Sequence, residues 1–134
     1  MENSNVRVDF RIIGDNFCIT QISDVLKISP TQYWSVGDEI RNTGKFRKYT
    51  CWIFSTGYEE TMDINTQLII ILNSFAHKSD ILSSLKKQYE LDYSIDIVVI
   101  VERGEVPAIY LEPLTLKFAA KIGARFDFDM YINS

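Results

Sequence analysis

The chain has 134 residues, of which 46% are hydrophobic and 24% charged. This composition is typical of one globular domain that buries enough apolar surface to fold without a metal or disulfide, so we treat residues 1–134 as a single domain. The net charge of −4 disfavours nucleic acid as the main partner, because phosphate binding depends on a positive field.

The sequence carries no recognisable membrane or secretion signal. The first ten residues lack a basic segment followed by an apolar run, and the most apolar helical stretch, residues 68–72, is far too short to cross a bilayer. We therefore expect no membrane association and a cytoplasmic location. In that compartment Cys18 and Cys51 are expected to stay reduced.

The first half of the chain predicts strands around one short helix. Residues 6–13 alternate apolar and polar side chains, which indicates a strand with one buried face. A helix with its apolar residues on one side follows at residues 19–26, and Pro30 stops any continuation. Strands are predicted near residues 33–36 and 47–55, joined by an exposed basic loop.

The second half predicts three helices and three strands. Helical spacing from Asp63 to Tyr89 is divided near His77 into two helices. Residues 93–101 are apolar on both faces in their second half, which favours a central strand. A short strand is expected after Pro107, then a helix bounded by Pro113 and Gly123, and a last alternating strand over residues 125–132.

The predicted order, β-α-β-β-α-α-β-β-α-β, favours an α+β fold. We expect a two-layer sandwich, in which a mostly antiparallel or mixed sheet has its helices packed on one face. Ile69 and Ile70 lie off the apolar stripe of their helix and must meet another element. The following helix and a second copy of the chain are both candidates, so a homo-oligomer is one alternative.

Few residue types that support catalysis or cofactor binding are present. There is one histidine, His77, with no paired cysteine motif and no glycine-rich phosphate loop, so we expect no cofactor and no metal site of the usual kinds. Asp127 and Asp129 are the best carboxylate pair, since positions i and i+2 of a strand face the same side. A cation held there would make a metal-dependent enzyme one alternative, although such a site needs more oxygen ligands.

The first and last strands carry charged residues on their polar sides. If these strands pair, arginines and aspartates interleave on one open sheet face. Such a face is either solvated, with weak ion pairs, or a recognition surface for a protein partner. The candidate residues are Arg7, Asp9, Arg11, Asp127, Asp129 and Tyr131.

The segment "TQYWSVGDEIR" suggests a second candidate site. Trp34 is expected to cover the end of the core beside Trp52. Gly37 provides a backbone conformation that other residues resist, and Asp38 can accept hydrogen bonds from nearby amides. These residues describe a structural corner, with a binding cleft near Trp34 and Trp52 as the alternative.

Several segments together resemble a known bacterial family. The segments are "FRIIGDNF", a short helix, "LKISPTQYWSVGD", "YTCWIFS" and a terminal "FDFDMYI". In this order, and over nearly the whole chain, they resemble the family called domain of unknown function 4279. Family members usually carry a small or acidic residue and proline where this chain has Cys18 and Ile19. The resemblance implies the fold and a bacterial, intracellular setting, and it carries over no catalytic residue.

The sequence favours a non-enzymatic interaction domain over an enzyme. We expect an immunity or accessory type of protein that binds another protein through the polar sheet face or the Trp34 corner. A small-molecule binding module near Trp34 and Trp52 is the first alternative. A metal-dependent enzyme that uses Asp127 and Asp129 is the second.

Overall fold

A computed structural model describes residues 3–133. The helices and strands, in chain order, are β1 (Asn5–Gly14), α1 (Ile19–Leu26), β2 (Gln32–Trp34), β3 (Thr50–Ser55), β4 (Glu59–Glu60), α2 (Asn65–Phe75), a 3-10 turn (Ala76–Lys78), α3 (Ser79–Tyr89), β5 (Asp92–Glu102), α4 (Pro113–Ile122) and β6 (Ala124–Asn133). Within the described residues, no helix is both long enough and apolar enough to cross a membrane.

The strands form one mixed sheet with its helices on one face. The strand order is β2-β3-β1-β5-β6, and the short β4 pairs with the start of β1. All pairings are antiparallel except β5 with β6, which run parallel and are joined through α4. The main core lies between the sheet and the helices, so the predicted two-layer α+β fold is confirmed.

Aromatic side chains fill the centre of this core. Phe10 of β1 is fully buried, and its ring centroid lies 4.6 Å from that of Phe75 and 5.7 Å from that of Tyr93. Trp52 is also fully buried on the helix side, where its Nε1 donates a hydrogen bond of 3.0 Å to Ser23 Oγ. These contacts join α1, α2, β1, β3 and β5.

Proline and glycine bound α4 as predicted, which fixes the start of β6. Pro113 occupies the first turn, where its missing N–H is not needed. Gly123 ends the helix with φ 69°, a left-handed conformation that glycine adopts without strain. The chain then enters β6 one residue later, parallel to β5.

The short strand predicted after Pro107 is wrong, because this segment forms only an isolated bridge between Ala108 and Asp63. The first and last strands do not pair with each other, because β5 lies between them. Ile69 and Ile70 remain exposed on α2, so α3 does not cover them, and coverage by a second copy stays a prediction.

Replacing Phe10 with alanine is expected to lower the free energy of unfolding by about 3–5 kcal/mol, because three packed elements lose a shared ring. Urea denaturation measures this loss. Phe46→Ala, at an exposed position, is the matched control and should change stability by no more than about 0.5 kcal/mol. Equal effects of the two substitutions would contradict the described core.

Candidate functional site

The face of the sheet opposite the helices carries most of the predicted candidate residues. Side chains alternate along a strand, so the residues between the core positions of β1, β5 and β6 all point to this side. We call it the open face and define it by Arg7, Asp9, Arg11, Ser94, Asp96, Arg125, Asp127, Asp129 and Tyr131.

Strand register aligns three carboxylates across the open face. Asp9 is the partner of Asp96, and Asp96 is the partner of Asp127. Arg11, Ser94 and Arg125 form a second row two residues away. A row of carboxylates thus lies next to a row of basic and hydroxyl groups, so each carboxylate has a basic or hydroxyl group within reach.

Each carboxylate of the row has its own arginine. The Nε–Oδ distances are 3.3 Å for Arg7–Asp9, 2.9 Å for Arg11–Asp96 and 3.3 Å for Arg125–Asp127. The Nε atoms of Arg7 and Arg11 are buried but not aligned for a hydrogen bond, so the attraction in those two pairs is mainly Coulombic. The row is therefore neutralised locally.

Ser94 links the two carboxylates beside it. Its side chain is buried, and its Oγ lies within hydrogen-bond distance of Asp96 Oδ1 and 3.2 Å from Asp127 Oδ2. Burial raises the pKa of Asp96, and the neighbouring Asp127 and Asp9 add to this rise. Ser94 and Arg11 act in the opposite direction without cancelling it.

Exposure rises along the row of aspartates towards β6. The exposed fraction of the side chain is 6% for Asp9, 19% for Asp96 and 53% for Asp127. Asp129 and Tyr131, further along β6, are also exposed. On the open face, a partner would therefore find the carboxylates of β6 accessible, whereas those of β1 and β5 beside them are mostly buried.

The sequence predicted only part of this arrangement. It assigned Arg7, Asp9, Arg11, Asp127 and Asp129 to the polar sides of their strands, and that assignment is confirmed. It missed Ser94 and Asp96, which connect the two groups. The alternation in "YSIDI" was the available signal, but the apolar second half of β5 indicated a strand without a polar face.

The geometry gives no support to a metal centre at Asp127 and Asp129. Asp127 already contacts Arg125 and Ser94, and a cation would have to displace them. Among residues 3–133, no group of three or more Asp, Glu, His or Cys side chains is placed to hold a metal ion.

The Trp34 corner lies on the other side of the sheet from Trp52. Trp34 pairs with Cys51 and packs with Cys51 and Ile53 in a small cluster on the outer face, whereas Trp52 points to the helices. The prediction that the two indoles pack side by side is therefore wrong, and they do not share a cleft. The guanidinium of Arg47 lies 3.8 Å from the centroid of the Trp34 ring and covers it.

Gly37 and Asp38 have the structural roles predicted for them. Gly37 has φ 91°, and Asp38 Oδ2 accepts a hydrogen bond of 2.8 Å from the Ser35 amide. The exposed basic loop that follows folds back as a hairpin, in which Glu39 and Phe46 form an isolated bridge. The corner thus directs the chain from β2 into this hairpin.

The two cysteines are free and lie in different environments. Cys18 is exposed at the start of α1, whereas Cys51 is fully buried in the Trp34 cluster. Burial raises the pKa of the Cys51 thiol to about 11, and Arg11 offsets part of this effect.

Comparison with known proteins identifies the family. A model of the family described as a domain of unknown function (DUF4279) matches residues 4–133, so the chain belongs to this family. No curated protein and no solved structure shows significant similarity to the chain.

A thiol titration with a chromophoric disulfide reagent at neutral pH is expected to detect one reactive cysteine in the native protein. Cys51 should not react, because its thiol is buried and remains protonated. Unfolding in denaturant should raise the count to two, and Cys18→Ser should abolish the native signal. Rapid reaction of both thiols in the folded protein would contradict the burial of Cys51.

Asp96→Asn is expected to become more stable relative to the wild type as pH rises. The folded pKa of Asp96 lies above its ordinary value of 3.8. The stability that this carboxyl group contributes is therefore fully present below pH 3.8 and is lost as pH rises through the folded pKa. The unfolding free energies of the wild type and the variant, measured from below pH 3.8 to neutral pH, test this sign. If the wild type instead gained stability relative to the variant as pH rises, Arg11 would outweigh burial.

Proposed function

We propose that this member of the DUF4279 family is a non-enzymatic protein-interaction domain whose partner binds the open face. The observation that carries the proposal is the exposed strip of β6, formed by Arg125, Asp127, Asp129 and Tyr131, on a sheet face that the helices leave uncovered. Strands hold these side chains in a fixed register, so the strip is organised before a partner arrives.

The charges of the open face suit recognition better than catalysis. A catalytic carboxylate is usually free to accept or donate a proton in a cleft, whereas Asp9, Asp96 and Asp127 are each paired with an arginine. Small ligands generally bind in concave apolar pockets. A depression of about 610 Å³ lies against the hairpin, but its lining residues, Ile40 and Lys45 to Tyr49, include none from the open face.

The partner that fits the strip is a protein with basic side chains. Asp129 forms no ion pair with any described residue, and Asp127 remains half-exposed beside Arg125. Tyr131 adds an aromatic surface with a polar end, a type of residue that is enriched at interfaces. The net charge of −4 would also favour the approach of a basic protein. An immunity or accessory role in a bacterial cytoplasm is consistent with these features.

The double variant Asp127→Lys/Asp129→Lys is expected to weaken partner binding at least about tenfold, because lysines would then face a basic surface. The partner would be captured from a host lysate with the wild-type protein, purified, and titrated against each variant by calorimetry. Asp24→Lys, an exposed position on α1, is the matched charge control and should bind as the wild type does.

Folding must be retained for this comparison to be meaningful. The double variant loses the exposed ion pair with Arg125 and the long hydrogen bond from Ser94, so its melting temperature should fall by no more than about 4 °C. Unchanged affinity in a folded double variant would exclude the β6 strip as the contact surface. Failure of the wild-type protein to retain any stoichiometric partner would count against the proposed function itself.

A further inference from the structure

The two edges of the sheet differ in how they are protected. The edge strand β2 has three residues, and Pro30 lies shortly before it. The opposite edge strand, β6, has ten residues and contains neither proline nor lysine, two of the usual means of blocking an edge, and its charged side chains all lie on the open face. Within the described residues β6 pairs only with β5, so its outer N–H and C=O groups are available to another strand.

The second half of β6 also exposes apolar side chains on the helix side. Phe128, Met130 and Ile132 alternate with the open-face residues and are 43%, 41% and 73% exposed. The ten residues of α4 extend about 15 Å, whereas the ten residues of β6 extend about 33 Å. The helix can therefore cover only part of the strand, which leaves these three side chains in solvent.

We propose that a second copy of this chain covers that edge, with the two β6 strands paired antiparallel about a two-fold axis. A symmetric interface presents the same surface on both sides, so each copy satisfies the free backbone groups of the other. The contact joins the two sheets edge to edge. On the helix side, it places Phe128 and Met130 of each β6 beside side chains of the partner's β6.

Charge and overlap together favour one register of this pairing. An axis at Phe126 also pairs opposite charges, Arg125 with Asp127, but overlaps the strands only over residues 124–128, whereas an axis at Asp127 overlaps them over residues 124–130. With the two-fold axis at Asp127, Arg125 of each copy lies opposite Asp129 of the other, which forms two cross-strand pairs of opposite charge. Phe126 then lies opposite Phe128 on the helix side. The two Asp127 carboxylates face each other in this register, but each is already in contact with Arg125 and Ser94 of its own chain.

The dimer extends the surface described above without depending on it. Edge pairing leaves both open faces uncovered and places their β6 strips side by side. The partner-binding strip is already complete in the monomer, so loss of the dimer would not remove it. Met130 lies on the helix side and outside the strip, so a change there tests the dimer without altering the partner-binding strip, whereas changes at Asp127 and Asp129 affect both contacts.

Sedimentation velocity at about 100 μM chain should show a species of twice the chain mass of 15.5 kDa, since a Kd on the order of 10 μM would make the dimer dominant. Met130→Lys places a charge on the helix side of the contact, opposite Ala124 of the partner's β6, and should give a monomer at the same concentration. Ile69→Lys, at a similarly exposed apolar position on α2, is the matched control and should remain dimeric. Circular dichroism establishes that both variants are folded.

Exchanging the charges at positions 125 and 129 tests the register in which the two β6 strands pair. Arg125→Asp and Asp129→Arg should each weaken the dimer about fivefold to tenfold, and the double variant should recover most of the loss. A wild-type monomer at this concentration would overturn the proposal and leave the edge free for an extended segment of another protein. A folded Met130→Lys variant that stays dimeric would also overturn it, because the interface would then lie elsewhere.

Discussion

The pairing of β5 with β1 on one side and with β6 on the other is the constraint on which the rest of the structure depends. One side of β5 presents Tyr93, Ile95, Ile97 and Val99 to the helices, and all four are buried in the main core. Its other side presents Ser94 and Asp96 to the open face. A single strand therefore supplies the middle of the core and the middle of the charged row.

This central position explains why polar groups are buried on a face that no helix covers. Asp9 and Asp96 are flanked by strands, and the side chains of Arg7 and Arg11 lie beside them. Removing carboxylates from water is unfavourable unless each keeps a partner of opposite charge. The arginines beside β1 and β5 thus offset part of the cost of burying these carboxylates, whereas β6, at the edge, keeps its charges accessible.

Much of the fold could be predicted because it follows from local patterns. Alternation identified β1 and β6 and their polar sides, and Pro113 with Gly123 bounded α4. Strand order could not be obtained in this way, because pairing between distant segments leaves little trace in a single sequence. The predicted candidate site was accordingly incomplete: the charged residues of β1 and β6 were recognised, but Ser94 and Asp96 of β5, which lies between these strands, were not. The prediction that Trp34 packs beside Trp52 was wrong for a related reason, since a shift of one residue in register moves a side chain to the opposite face.

Amide hydrogen exchange, resolved by residue with NMR, tests the central position of β5 most directly. A strand paired on both sides has hydrogen bonds for all its amides, whereas an edge strand in a monomer protects only alternate ones. The structure predicts slow exchange throughout residues 92–102, with the interior amides opening only on global unfolding. Alternating fast and slow exchange along β5 would place it at an edge of the sheet and would contradict both the charged row and the core described here.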